Sequence, residues 1–127
     1  MKPVYLIVLI TILAACGSDG VTPIDDTTLT ASYSGDPIHG ERLYLETCIA
    51  CHGPGGEGVE NLGKPFTTSD FIRGKTDQSL QAFIEEGRAA DDPDNTTGIA
   101  MLPKGGNPTL SDDDILDIIA YIRTLQH

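Results

Sequence analysis

A chain of 127 residues is long enough for one domain and too short for two ordinary ones. Aromatic residues make up 6% and tryptophan is absent, so a core built from protein alone would be only marginally stable, and a bound cofactor would complete it. Acidic residues outnumber basic ones 19 to 8, a balance that argues against nucleic acid or anionic lipid as partners of the protein surface and leaves most carboxylates as solvated surface.

The opening MKPVYLIVLITILAAC reads as export machinery rather than fold. Lys2 is a short positive start, Val4 to Leu13 form an apolar run broken only by Thr11, and Ala14, Ala15 and Cys16 follow. About ten apolar residues fall short of the roughly twenty that span a bilayer, so residues 1–15 are assigned to a secretory signal peptide. Ordinary cleavage near the alanines would leave Cys16 unmodified, but an odd cysteine in an exported protein needs an explanation of its own. The sequence Leu13-Ala14-Ala15-Cys16 resembles the lipobox of bacterial lipoproteins, and the resemblance implies lipidation at Cys16 and a membrane anchor. Residues 16–35 continue with Ser, Thr, Asp and Gly and isolated apolar residues without a period, the composition of a flexible tether.

Folded structure is expected over residues 36–127. Asp36 and Pro37 suit an N-cap and first helical position, and Ile38, Leu43, Tyr44 and Ile49 then offer an imperfect apolar face up to Cys48-Ile49-Ala50-Cys51-His52, where Gly53-Pro54-Gly55-Gly56 ends the helix. Phe71 and Ile72 fit a short helical turn. Thr76 caps a helix over Asp77 to Glu86 with Leu80, Phe83 and Ile84 on one face and Gly87 as terminator. Ser111 caps the last helix, whose first turn is filled by Asp112, Asp113 and Asp114 in favour of the helix dipole, and Ile115, Ile118, Ile119 and Ile122 recur at helical spacing. No alternating strand pattern occurs, and the class is all-α.

Three chemistries compete for Cys48, Cys51 and His52. A zinc site needs about four ligands, and the remaining candidates, Cys16, His39 and His127, are poorly placed. A CxxC redox pair normally accompanies a βαβ pattern, which is absent. Covalent attachment of haem c uses all three residues: the thiols add to the vinyl groups as thioethers and the adjacent imidazole becomes the proximal iron ligand. Export agrees with this, because c-type haem is attached outside the cytoplasm.

A second iron ligand is the test of the haem reading. Met101 is the one methionine left after removal of the signal peptide, and it lies in GIAMLPKGGNP between two helices, with Pro103 and Pro108 stiffening the backbone. A thioether favours ferrous iron and raises the potential, as an electron carrier requires; a methionine filling core space is the competing role. His39 is the rival ligand, although it sits near the start of the helix that delivers His52. His127 is expected to fray at the terminus.

With these residues assembled, the chain from about Asp36 to Gln126 resembles the class I cytochromes c, in particular the small monohaem bacterial members. In that family a glycine and an aromatic four residues apart precede the first cysteine and pack against an aromatic on the last helix; Gly40, Tyr44 and Cys48 match the spacing, and Ile118-Ile119-Ala120-Tyr121 matches the last helix. The resemblance implies a cytochrome c-like fold of about three to four helices around one covalently attached haem, with Cys48 and Cys51 holding the cofactor and His52 and Met101 on the iron. The stretch from Arg88 to Gly98, RAADDPDNTTG, departs from the family as a polar insertion before the methionine. The function implied is one-electron transfer by a lipid-anchored carrier facing the periplasm or cell exterior, with redox proteins as donor and acceptor, no small-molecule substrate and no catalysis by itself. Two alternatives stand beside it: a haem subunit of a respiratory or dehydrogenase complex, and a peroxidase or gas sensor whose sixth ligand is labile.

Overall fold

The computed structural model of the chain describes residues 34–127; the expected signal peptide, Cys16 and all but the last two residues of the expected tether lie outside the described residues. Among the described residues five helices follow one another: α1 (Pro37–Thr47), α2 (Ile49–His52), α3 (Asp70–Arg73), α4 (Asp77–Glu86) and α5 (Asp112–Thr124), with a 3₁₀-type turn at Pro103–Gly106 before the last. The all-α expectation holds, and the helix number rises above three to four because α2 and α3 are each four residues long. Pairing of strand type among the described residues is confined to two isolated bridges, Val59 with Gly63 and Arg88 with Met101.

Local chemistry sets the helix starts. The Asp36 carboxylate accepts the Ile38 amide at 2.9 Å with Pro37 in the first turn, Thr76 accepts from Ser79, and Ser111 and Asp114 form a reciprocal capping box on α5. Thr76 and Gly87 bound α4 as expected. The helix leading to His52 is not continuous. Cys48 adopts φ −100° and ψ −23°, and the chain bends there between α1 and α2, while the Cys48 amide still donates to the Tyr44 carbonyl at 2.8 Å.

α5 is the organising element, packed against α1 and α4. Its Ile115, Ile118, Ile119 and Ile122 are buried together with Tyr44, Ile72, Leu80 and Leu110; burying an isoleucine side chain contributes roughly 1.5–3 kcal/mol. Where α1 crosses α5, Gly40 lies so close that a Cβ there would overlap the Asp117 carbonyl. The space beside the glycine is filled by Tyr44, whose ring centre is 5.2 Å from that of Tyr121 and 6.1 Å from that of Phe66, and whose hydroxyl donates to the Gly53 carbonyl. The expected glycine–aromatic crossing is therefore present. Ile38, expected on the apolar face of α1, is instead 70% exposed. The buried stripe is set by Gly40 and Tyr44, one helical turn apart, and Ile38 falls off it.

Polar ties reinforce the helix contacts. The buried Asp117 of α5 accepts the Asp36 amide on Oδ1 and faces His39 Nδ1 at 2.7 Å on Oδ2, clasping the N-terminus of α1. At the other end Arg123 donates to the Ile72 and Lys75 carbonyls and to Asp77, which fastens α5 to the end of α3 and the start of α4. His127, expected to fray, has its amide bonded to the Thr67 carbonyl at 3.2 Å.

Candidate haem site

The bend at Cys48 places Cys48, Cys51 and His52 along the wall of a cavity of about 810 Å³. Leu80, Phe83 and Ile84 of α4 and Ile118, Ile119 and Ile122 of α5 form further parts of the same wall, so the apolar helix faces expected from the sequence are shared between core and cavity. Met101 lines the cavity too. Residues far apart in the chain, at 48–52 and at 101, thus meet around one space whose size suits a bound cofactor.

His52 is held in a single orientation. Its Nδ1 lies 2.8 Å from the Lys64 carbonyl, which accepts the ring proton, and its ring stacks on Phe66 with centres 4.1 Å apart and planes 20° from parallel. With Nδ1 so engaged, Nε2 keeps the lone pair that a metal would take, the arrangement by which a carbonyl fixes the tautomer of a ligating histidine. Burial lowers the affinity of His52 for a second proton, against the weaker opposing effect of the Lys64 carbonyl. Burial pushes the Cys48 thiol up to about 12, and the neighbouring Cys51 adds to the shift. Both cysteines are free thiols.

Met101 is fixed through its backbone. It exchanges two hydrogen bonds with Arg88, whose amide donates to the Met101 carbonyl at 2.8 Å and whose carbonyl accepts the Met101 amide at 2.9 Å. Gly87, at φ +75°, makes room for this pairing, since a Cβ there would overlap the Met101 carbonyl. The polar stretch that departs from the family pattern is accordingly closed at its base. Arg88, Asp94, Asn95, Thr96 and Thr97 line the cavity, a role that composition alone did not reveal. The dipeptide turn chemistry of Asn95 followed by Thr-Thr-Gly was the available signal. Phe66 and the Lys64 carbonyl, the two supports of His52, were likewise not singled out in the sequence.

The competing ligands separate from the site. His39 is outside the cavity lining and faces Asp117 on α5. Among the described residues, three potential metal-ligating side chains come within 4.8 Å of one another at His39, Asp114 and Asp117, not at the CxxCH segment. Zinc at Cys48, Cys51 and His52 would therefore lack its convergent shell. A haem fits better: the cavity is largely apolar, two thiols and an imidazole with a free Nε2 stand on its wall, and Lys64, Arg88 and Lys104 bring positive charge to a group that carries carboxylates.

Residues 38–126 match the family model for cytochrome c. The chain belongs to the cytochrome c family. It is 35% identical over 89 residues to the cbb3-type cytochrome c oxidase subunit FixP of Bradyrhizobium diazoefficiens, covering 61% of this chain and 31% of that protein. The cbb3-type subunit CcoP of Azospirillum brasilense is 33% identical over 108 residues, 82% of this chain and 36% of the relative. Cytochrome c-555 of Prosthecochloris aestuarii is 30% identical over 88 residues, 68% of this chain and 85% of the relative. The chain thus spans about a third of the length of the oxidase subunits and most of the length of cytochrome c-555. No solved structure matches it. Membership gives the cofactor, a covalently bound haem c.

Proposed function

We propose that Cys48 and Cys51 hold the haem as thioethers, that His52 and Met101 are its axial ligands, and that the chain is a one-electron carrier tethered by lipid outside the cytoplasm. The observation that carries the ligand assignment is the convergence of all four residues on one cavity, with the His52 tautomer fixed by the Lys64 carbonyl. Haem c supplies a one-electron ferric/ferrous couple. Each protein group has a distinct task around it. The thioethers prevent loss of the cofactor, the oriented His52 offers Nε2, the Met101 sulfur favours the reduced state, and the isoleucines of α5 keep water away. Held by His52 and Met101 together, the iron would have no position left for a substrate, and the chain would carry electrons without catalysing by itself.

Membership of a larger assembly is the second reading. Relatives include oxidase subunits and an alcohol dehydrogenase cytochrome c subunit, which favours a haem domain passing electrons within a respiratory or dehydrogenase complex. Cytochrome c-555, matched over most of its length, favours a free carrier. In either case the partners are redox proteins. Among the described residues no helix is long and apolar enough to cross a membrane. Attachment is assigned to Cys16 after removal of residues 1–15, with residues 16–35 as the tether to the haem domain at 36–127.

Expression with the haem-attachment machinery, followed by fractionation and denaturing electrophoresis with haem staining, tests both attachments. The wild type should keep its haem through denaturation and stay in the membrane fraction. Replacing both Cys48 and Cys51 with Ser should abolish the stain, and Cys16→Ser should release a haem-bearing protein into the periplasm. Stain on the double variant refutes the thioethers; a membrane-bound Cys16→Ser places the anchor elsewhere.

A further inference from the structure

The segment between Arg88 and Met101 contains a cross-brace. The Asn95 side-chain amide donates to the Ala89 carbonyl at 2.8 Å and to the Ile99 carbonyl at 2.8 Å, so one residue spans the loop just beyond the Arg88–Met101 backbone pair. Its Oδ1 accepts the Thr97 amide, the Thr97 hydroxyl and the Gly98 amide at 3.1, 3.1 and 3.0 Å, which fixes the turn at the far side. Arg88 anchors the other flank. Its guanidinium lies 4.9 Å from the Phe83 ring centre and 5.3 Å from that of Phe71, and it donates to the Asp94 carbonyl at 3.2 Å. The other ties of the loop are local, with Asp92 accepting the Asp94 amide at 2.7 Å and pairing with Arg88 at 3.9 Å, and Ile99 is 47% exposed, so apolar packing contributes little there.

We infer that Asn95 and Arg88 are positioning residues for the distal ligand, holding the loop so that the Met101 sulfur stays on the iron. The inference rests on Met101 being that ligand. A thioether is a neutral ligand held in place by the polypeptide that presents it, so the share of molecules with the ligand detached is set by the stability of this loop. Losing the Asn95 brace lets the loop open locally while the helical core stays closed.

Carbon monoxide binding to the reduced holoprotein reads the detached state, because the gas needs the position that Met101 fills. Asn95→Ala should bind it about tenfold faster than wild type, the factor for about 1.4 kcal/mol, the scale of one net hydrogen bond. The sulfur-to-iron absorption band of the oxidised form should bleach at a lower urea concentration than the one that unfolds the helices. Asn95→Asp retains the Oδ1 acceptor and loses both amide donors, so it should behave like Asn95→Ala if the brace matters and like wild type if only the turn does. Arg88→Met, which keeps the bulk over the Phe rings without the charge, should shift in the same direction. In a Met101→Ala background the Asn95 substitution should have no further effect on the rate. If Met101→Ala itself leaves band and gas binding unchanged, the ligand assignment fails. If Met101→Ala changes them and both Asn95 variants bind carbon monoxide at the wild-type rate, the positioning role is wrong. Parallel loss of helix and band in the Asn95 variants contradicts it equally, as it marks a merely structural residue.

Discussion

At the scale of single residues, the crossing of α1 and α5 hangs on Gly40. A methyl group there meets the Asp117 backbone, which cannot yield as a side-chain tip would. Gly40→Ala should therefore lower the unfolding free energy of the holoprotein by about 1–3 kcal/mol, the range for forced overpacking, as measured by urea titration. A midpoint equal to that of wild type would show that the helices separate without cost. The glycine, Tyr44 and Tyr121 were legible in the sequence through the resemblance to the class I cytochromes c, whose glycine–aromatic spacing they match. Asp117 was not: its burial depends on the Asp36 amide and His39, which reach it only after the chain has folded across some eighty positions.

At the scale of elements, the caps were the most readable part of the chain. Asp36, Thr76 and Ser111 act on amides two or three residues away, so sequence contains the whole interaction. The break at Cys48 and the braced loop were hidden, because the first depends on packing around the cavity and the second on Asn95 reaching both sides of its own loop. The capping box of α5 gives a pH-dependent prediction. The Ser111 hydroxyl, and then the Ser111 amide, hold the Asp114 carboxyl below the usual carboxylate range, against the opposing effect of desolvation; His39 at 4.0 Å lowers it a little further and Asp117 weakly raises it. A carboxyl depressed on folding adds stability that is fully present above its unfolded value and disappears as the pH falls through the folded one. The stability difference between wild type and Asp114→Ala should therefore be constant near neutrality and shrink as the pH drops below about 4. A difference that does not vary with pH would mean that the ionised carboxylate contributes nothing to the cap.

At the scale of the whole molecule, the thin aromatic content and the wide cavity are one fact. Among the described residues the buried apolar core and the cavity share one wall: Ile72, Leu80, Leu110, Ile118, Ile119 and Ile122 belong to both, and the space they face is where the cofactor belongs. Composition pointed to a cofactor-completed core, and the CxxCH spacing pointed to which cofactor. On the function proposed above, the protein would close both axial positions of the iron, with His52 on one and Met101 on the other. The most direct measurement compares the oxidised absorption spectrum and the reduction potential of wild type and Met101→Ala. A weak long-wavelength sulfur-to-iron band is expected in the wild type, with its loss in the variant and a lower potential once the thioether no longer favours ferrous iron. An unchanged spectrum and potential would contradict the claim and move a peroxidase or gas-sensing role ahead of electron transfer.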